Sequence, residues 1–135
     1  MADAIQDIEG IGPAIAQKLV AAGIRTTEDL LTVCATRSGR GGLASETGLS
    51  EAQLLKWANH ADLMRIKGVG GEFAELLEAA GVDTVKELRG RNAENLAVKM
   101  REVNDVRSLT RMVPSATTLE KWIDEAKGME PRIAH

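Results

Sequence analysis

Residues 8–31, IEGIGPAIAQKLVAAGIRTTEDLL, and residues 66–89, IKGVGGEFAELLEAAGVDTVKELR, decide the fold. They align without a gap and agree at ten positions, among them Gly10/Gly68, Gly12/Gly70, Leu19/Leu77, Gly23/Gly81 and Thr26/Thr84. Chance supplies about one or two such matches, so the chain carries an internal duplication. Working outward, Ser50, Leu54 and Trp57 correspond to Ser115, Leu119 and Trp122 once seven extra residues are allowed in the second copy. Each unit therefore reads as a glycine turn with its helix, followed by a trailing pair of helices.

The punctuation inside each copy is physical. Gly10-Ile11-Gly12 and Gly68-Val69-Gly70 read as tight turns in which glycine supplies positive φ or close backbone approach. Pro13 suits a first helical position, where its missing N–H costs nothing. A helix then runs to Ala22 with Ile15, Ala16, Leu19 and Val20 on one stripe, and Gly23 stops it; Phe73, Ala74, Leu76, Leu77 and Gly81 repeat the pattern. Thr26 and Thr84 read as N-caps, with Asp29 and Glu87 three residues on, close to a capping box in both copies. Further helices are expected over 37–47, 50–66, 92–103 and 115–127, with Ser50, Asn92 and Ser115 as caps. The segment from Ser50 is placed to end the first unit and to lead into the second turn.

Composition agrees with this reading. The apolar residues make up 44% of the 135, yet include one Phe, two Trp and no Tyr. Such an Ala- and Leu-rich core suits helices. Alternating, β-branched stretches that would mark strands are missing. The expected class is all-α: two tandem units, 1–62 and 63–128, packed into one compact body that can bury roughly two-thirds of its unfolded surface, with 129–135 as a tail.

Net charge is mild, −3, but uneven: residues 1–64 carry 5 basic and 8 acidic side chains, residues 65–135 carry 12 of each. Neither part is a basic domain that binds nucleic acid by charge alone. Cys34 is the sole cysteine, which excludes an internal disulfide, fits a reducing cytoplasm and reads as a small buried apolar residue. No apolar run approaches the roughly 20 residues of a membrane span, and no basic leader precedes an apolar stretch.

The pattern apolar-x-Gly-apolar-Gly-x-x-x-Ala-x-x-Leu, met twice, resembles the hairpin and second helix of the helix-hairpin-helix motif. The run WANHADLMRIKGVGGEFAELLEAAGVDTVKELRGRNAENL and the flanking TRSGRGGLASETGLS are similar to the tandem helix-hairpin-helix family catalogued as domain of unknown function 4332, from about Ile8 to Lys127. That resemblance implies a fold and no particular activity. In the wider superfamily such a turn offers backbone N–H groups at a helix start to a nucleic-acid phosphate, sometimes with a monovalent cation held by turn carbonyls. The physics is general, since a helix N-terminus carries unpaired donors and about half a positive charge.

The groups so implicated are Gly10, Ile11, Gly12 and Ala14 in the first copy and Gly68, Gly70 and Gly71, with Val69 and Glu72 between and beyond, in the second. Lys18, one helical turn on, and Lys67, inside the second turn, add positive charge. Binding hairpins often place Lys or Arg just after the second glycine, whereas this chain has Pro13 and Ala14, then Gly71 and Glu72. Glu72 at about 5 Å from a phosphate would cost from under 1 to about 3 kcal/mol, so the first turn is the better donor. Arg37 and Arg40, among glycines, and Arg89 and Arg91 form an accessory basic set; Lys99, Arg101, Arg107 and Arg111 extend it, and the competing reading of all of them is a solvated face with local salt bridges. No aromatics interleave with them, so stacking on single strands has little support.

Other signals point away from catalysis. Trp57 and Trp122 read as core anchors. His60 beside Asp62 is neither a metal site nor a triad, and the Gly-x-Gly stretches follow helices rather than strands, so the dinucleotide fingerprint lacks its setting. No enzyme activity, cofactor, metal or small-molecule substrate is expected. Two readings stay open for the partner. One is sequence-independent binding of the DNA backbone; the other is a protein-interaction or scaffold module for which the hairpins are only structural corners. The turn chemistry tips the balance narrowly to nucleic acid.

Overall fold

The computed structural model describes residues 3–135. A single 3-10 turn, Ile5–Asp7, precedes eight helices: α1 Pro13–Ala21, α2 Thr27–Cys34, α3 Arg37–Thr47, α4 Glu51–Leu63, α5 Gly71–Ala79, α6 Val85–Leu88, α7 Ala93–Arg107 and α8 Ala116–Lys127. The chain is all-α; among the described residues the only β-type pairing is an isolated bridge between Ala4 and Thr26.

Local chemistry sets most of the helix ends. Gly23 at φ 89° and Gly81 at φ 97° occupy the left-handed position after α1 and α5. In both places the next two amides turn back on the helix: Gly23 N donates to the Val20 carbonyl and Ile24 N to that of Leu19, as Gly81 N does to Glu78 and Val82 N to Leu77. This pairing satisfies two otherwise orphaned carbonyls per helix. Ser50, Asn92 and Ser115 each accept the amide three residues on and start α4, α7 and α8 as expected.

The expected capping boxes differ between the two halves. Thr26 accepts Asp29 N at 3.1 Å while the Asp29 carboxylate accepts Arg25 N and Thr26 N at 2.9 and 3.1 Å, a complete reciprocal cap on α2. Thr84 accepts Glu87 N at 3.3 Å, but the Glu87 carboxylate turns away to Arg91 at 2.7 Å, so α6 has half a box and runs a single turn. The next amide is served from another helix: buried Asp62, near the end of α4, accepts Val85 N at 2.9 Å and pairs with Arg65 at 2.6 Å. The corresponding amide in the first half, Thr27 N, donates to the Asp3 carbonyl at 2.9 Å.

Two expected spans shift. The helix from Ser50 ends at Leu63 rather than Ile66, because Arg65 N and Ile66 N fold back onto the Asp62 and Leu63 carbonyls as a turn. The helix after Asn92 runs on to Arg107, and Ser108 at φ 51° ends it. The seven extra residues of the second copy thus go into a longer α7 and the connection to α8. Val20, expected on the buried stripe of α1, is 39% exposed, while Ala16 and Leu19 are buried.

Helix α4 holds the body together. It packs on α2 and α3 on one side and on α5 on the other, while α7 packs on both α5 and α8, and α6 on α8. Leu54, Leu63, Leu76, Leu77, Leu88 and Leu119 are fully buried in one continuous core. Each such leucine contributes roughly 2–5 kcal/mol against truncation. The stretch 129–135 returns to the first half: Ala134 N donates to the Ala35 carbonyl at 2.8 Å, and Arg132 pairs with Glu28. Arg65 meets the Glu130 carbonyl on the way.

Candidate nucleic-acid interface

The two glycine turns have nearly the same backbone. Gly10 and Gly68 sit at φ 91° and 93°, in the left-handed region that only glycine enters freely. Gly12 and Gly70 do not: their backbones are extended, with φ −85° and −94°, and they serve as N-caps of α1 and α5. A Cβ at either would meet nothing within 4 Å. Of the two uses expected of these glycines, positive φ falls to Gly10 and Gly68, while Gly12 and Gly70 leave open space.

A second correction concerns the donors. Ile11 N is spent on the Ile8 carbonyl at 3.2 Å, and Val69 N on that of Ile66 at 3.1 Å, inside the turns. Ile11 thus leaves the donor set. The amides of Gly10, Gly12 and Ala14 donate to no other described residue, and Pro13 has none to offer. They stand at the exposed start of a nine-residue helix, where the peptide dipoles add positive potential. Lys18 is exposed, without an ion pair among the described residues, one turn above Ala14. Helical side chains lean toward the N-terminus, which brings its ammonium toward the turn.

The second turn is partly occupied by the chain itself. A Cβ on Gly71 would lie 2.2 Å from the Asp7 carbonyl oxygen and 3.3 Å from Glu9 N. This glycine is therefore demanded by packing against the residues just before the first turn, and Gly71 is corrected from a ligand-facing position to an internal contact. Lys67 N donates to the Glu125 carboxylate of α8 at 3.1 Å, although the Lys67 side chain is exposed. An open cleft of about 660 Å³ lies between Gly68–Phe73 and Thr110–Met112, with Glu72 and Arg111 on its walls. Asn104 pins that loop with both ends of its amide, donating to the Thr110 carbonyl and accepting Thr110 N, each at 3.0 Å.

Beneath each turn stands a tryptophan. The place a Gly10 Cβ would take is 3.4 Å from the indole Nε1 of Trp57, and for Gly68 it is 3.4 Å from Nε1 of Trp122. Both rings are buried, as core anchors should be, and Phe73 leans on Trp122 with centroids 5.5 Å apart at 56°. Reading them only as core missed the polar edge. The signal was available, since both occupy the same place in the duplication.

The accessory arginines are largely engaged by the fold. Arg40 is 4% exposed and donates to the Cys34 carbonyl at 2.9 Å, closing the end of α2; its expected role as an accessory basic contact is corrected. Arg91 holds Glu87 and the Gly81 carbonyl, and Arg89 reaches the Met129 carbonyl at 3.5 Å. Arg37 is exposed but donates to the His135 carbonyl. Among the proposed cations, Lys18 and Lys67, and in the second half Lys99, Arg101, Arg107 and Arg111, are exposed with no ion pair or side-chain hydrogen bond among the described residues.

Two remaining groups are internal. Burial pushes the Cys34 thiol up to about 11, against the pull of Arg40, so at neutral pH it is a protonated core residue. His60 is fully buried with Nε2 3.2 Å from Glu78, yet neither ring nitrogen has a well-aligned hydrogen bond. Burial raises Glu78, but His60, Lys56 and Arg107 outweigh it and hold the carboxyl below its usual range. Among the described residues no group of three or more His, Cys, Asp or Glu gathers in metal-binding geometry, and no helix is long and apolar enough to cross a membrane.

No curated protein and no solved structure matches the chain. The model of one family, described as a domain of unknown function (DUF4332), matches residues 9–129, from just before the first glycine turn to just past α8. With nearly its whole length matched, the chain belongs to that family.

Proposed function

We propose that this chain is a non-catalytic module of two tandem helix-hairpin-helix units that grips the phosphate backbone of duplex DNA through the Gly10–Ala14 turn. The observation that carries the reading is the first turn itself: amides of Gly10, Gly12 and Ala14 without internal partners, clear space around Gly12, and exposed Lys18 above. Contacts of this kind touch phosphate and no base edge, so binding is independent of sequence. A cytoplasmic location accords with the lone reduced cysteine.

The test is fluorescence anisotropy with a labelled duplex and a matching single strand across a salt series. Duplex binding is expected at low salt. Because the contact is made largely by backbone amides with Lys18 beside them, its logarithm should fall with log salt at a slope of only about −1 to −2. Lys18→Glu and Gly12→Val should both weaken it, the second by filling the approach without straining a backbone that valine also adopts. Absence of duplex binding at low salt removes the proposal.

One observation favours a protein-interaction module instead: Val106 and Met112 are 85% and 76% exposed at the end of α7 and the loop after it. On that reading the turns are corners only, and light scattering would give a defined oligomer, or capture a specific protein, while DNA is ignored.

A further inference from the structure

A buried indole N–H normally finds a hydrogen-bond partner. Trp57 and Trp122 are each 5% exposed, yet neither Nε1 donates to another described residue. Among the described residues the sealed side-chain atoms without a partner are Asn59 Oδ1 and the two nitrogens of His60. The indole nitrogens are not among them, and each lies beside a glycine whose missing Cβ would stand 3.4 Å away. Both rings are held in the core. The same donor thus recurs under both turns.

What differs is the next charge. Three residues after Trp122 stands Glu125, whose carboxylate accepts Lys67 N at 3.1 Å. Three residues after Trp57 stands His60, which is turned inward to Glu78. Among the described residues the second turn has a carboxylate on its first amide, at Lys67 N, and none is bonded to the first turn. Resting on the reading of the first turn given above, we infer that the indole N–H of Trp57 is a further donor to a phosphate group seated at Gly10–Ala14, and that the carboxylate of Glu125, bonded to Lys67 N at the edge of the matching turn, repels a second anion above Trp122. The ligand class is a phosphate oxyanion, whether a phosphodiester of nucleic acid or free phosphate. An indole donor aimed from a rigid core adds a charge-assisted hydrogen bond with little ordering cost.

The two indole protons give two separate signals in a 15N–1H correlation spectrum of the full chain, assigned with Trp57→Phe and Trp122→Phe. Titration with inorganic phosphate, and separately with a short DNA duplex, at matched ionic strength should move the Trp57 signal saturably and leave Trp122 nearly still. In Glu125→Ala the Trp122 signal should move as well. Trp57→Phe should weaken whichever ligand binds by about 5- to 10-fold. A Trp57 signal that stays still while the duplex binds by anisotropy overturns this inference and leaves the DNA reading standing. Movement with phosphate but no binding of duplex supports the seat and removes the DNA reading. Equal movement of both signals in the unmodified chain overturns the role of Glu125. No movement of either with any ligand overturns the inference entirely.

Discussion

The two glycine turns share a hinge angle, a tryptophan beneath and a helix above, but they use the same backbone for different ends. At the second turn Gly71 is pressed against the Asp7 carbonyl, Lys67 N is taken by Glu125, and Glu72 faces the cleft. At the first turn the corresponding positions are Pro13, Glu9 and Ala14, and among the described residues no carboxylate is bonded to its backbone; the amides of Gly10, Gly12 and Ala14, like those of Gly68, Gly70 and Glu72, have no partner among the described residues. The difference teaches that glycine-turn geometry alone does not make a binding surface. What differs is whether the rest of the chain has already placed an acceptor beside the turn.

The largest test of this contrast concerns how each half caps its second helix. Asp62 is buried and serves both Val85 N and Arg65, whereas the aligned position in the first half is Ala4 and the cap on Thr27 is a backbone carbonyl. Asp62→Ala should cost about 3 kcal/mol, because it strands a buried amide and a half-buried guanidinium together. Urea unfolding measures it, and Asp62→Asn, which keeps an acceptor, should recover part. A loss under about 1 kcal/mol would show that α6 is held by packing alone.

Next in size is a comparison of glycines. Gly71→Ala should destabilise by about 1–3 kcal/mol, since the new methyl meets a backbone carbonyl that moves only with the residues before the first turn. Gly12→Ala, at extended backbone and in open space, should change stability by no more than about 0.5 kcal/mol. If thermal melts rank the two the other way, the asymmetry drawn between the turns is wrong.

How much of this was legible in the sequence follows from how local each cause is. Gly10, Gly23, Gly68, Gly81 and the Thr26, Ser50, Asn92 and Ser115 caps could be read directly, because a left-handed residue or a cap is decided within about four positions. Gly71, which looks like one more turn glycine, owes its identity to Asp7, 64 residues away. Glu125 reaches Lys67 across 58 residues, and nothing near either announces the contact. Arg40 lies in a run of glycines whose helix, α3, could be read, but the inward turn of its side chain could not. There Gly39 fits under the Val33 carbonyl, and Arg40 is drawn in to close the end of α2. Residue type told what each group can do; only the folded chain tells which partner reached it first.

The smallest effect is also the most local and concerns pH. The amide of Arg25 chiefly holds the Asp29 carboxyl below its ordinary value; burial pushes the other way, and the amide and hydroxyl of Thr26 and the charge of Arg25 add smaller downward pulls. A carboxyl lowered in the folded state adds stability that is complete above its unfolded pKa, near 4, and fades as pH falls through the lowered folded value. The gap in urea midpoint between the parent chain and Asp29→Asn should therefore be constant from about pH 7 to 5 and shrink toward pH 2. A gap that does not change with pH would mean that Asp29 caps α2 no better charged than neutral. The second half has no such reciprocal cap, because Glu87 has turned to Arg91. A gap of the expected shape would place the local electrostatic lock on the α1–α2 corner, in the half whose glycine turn is left open to an anion.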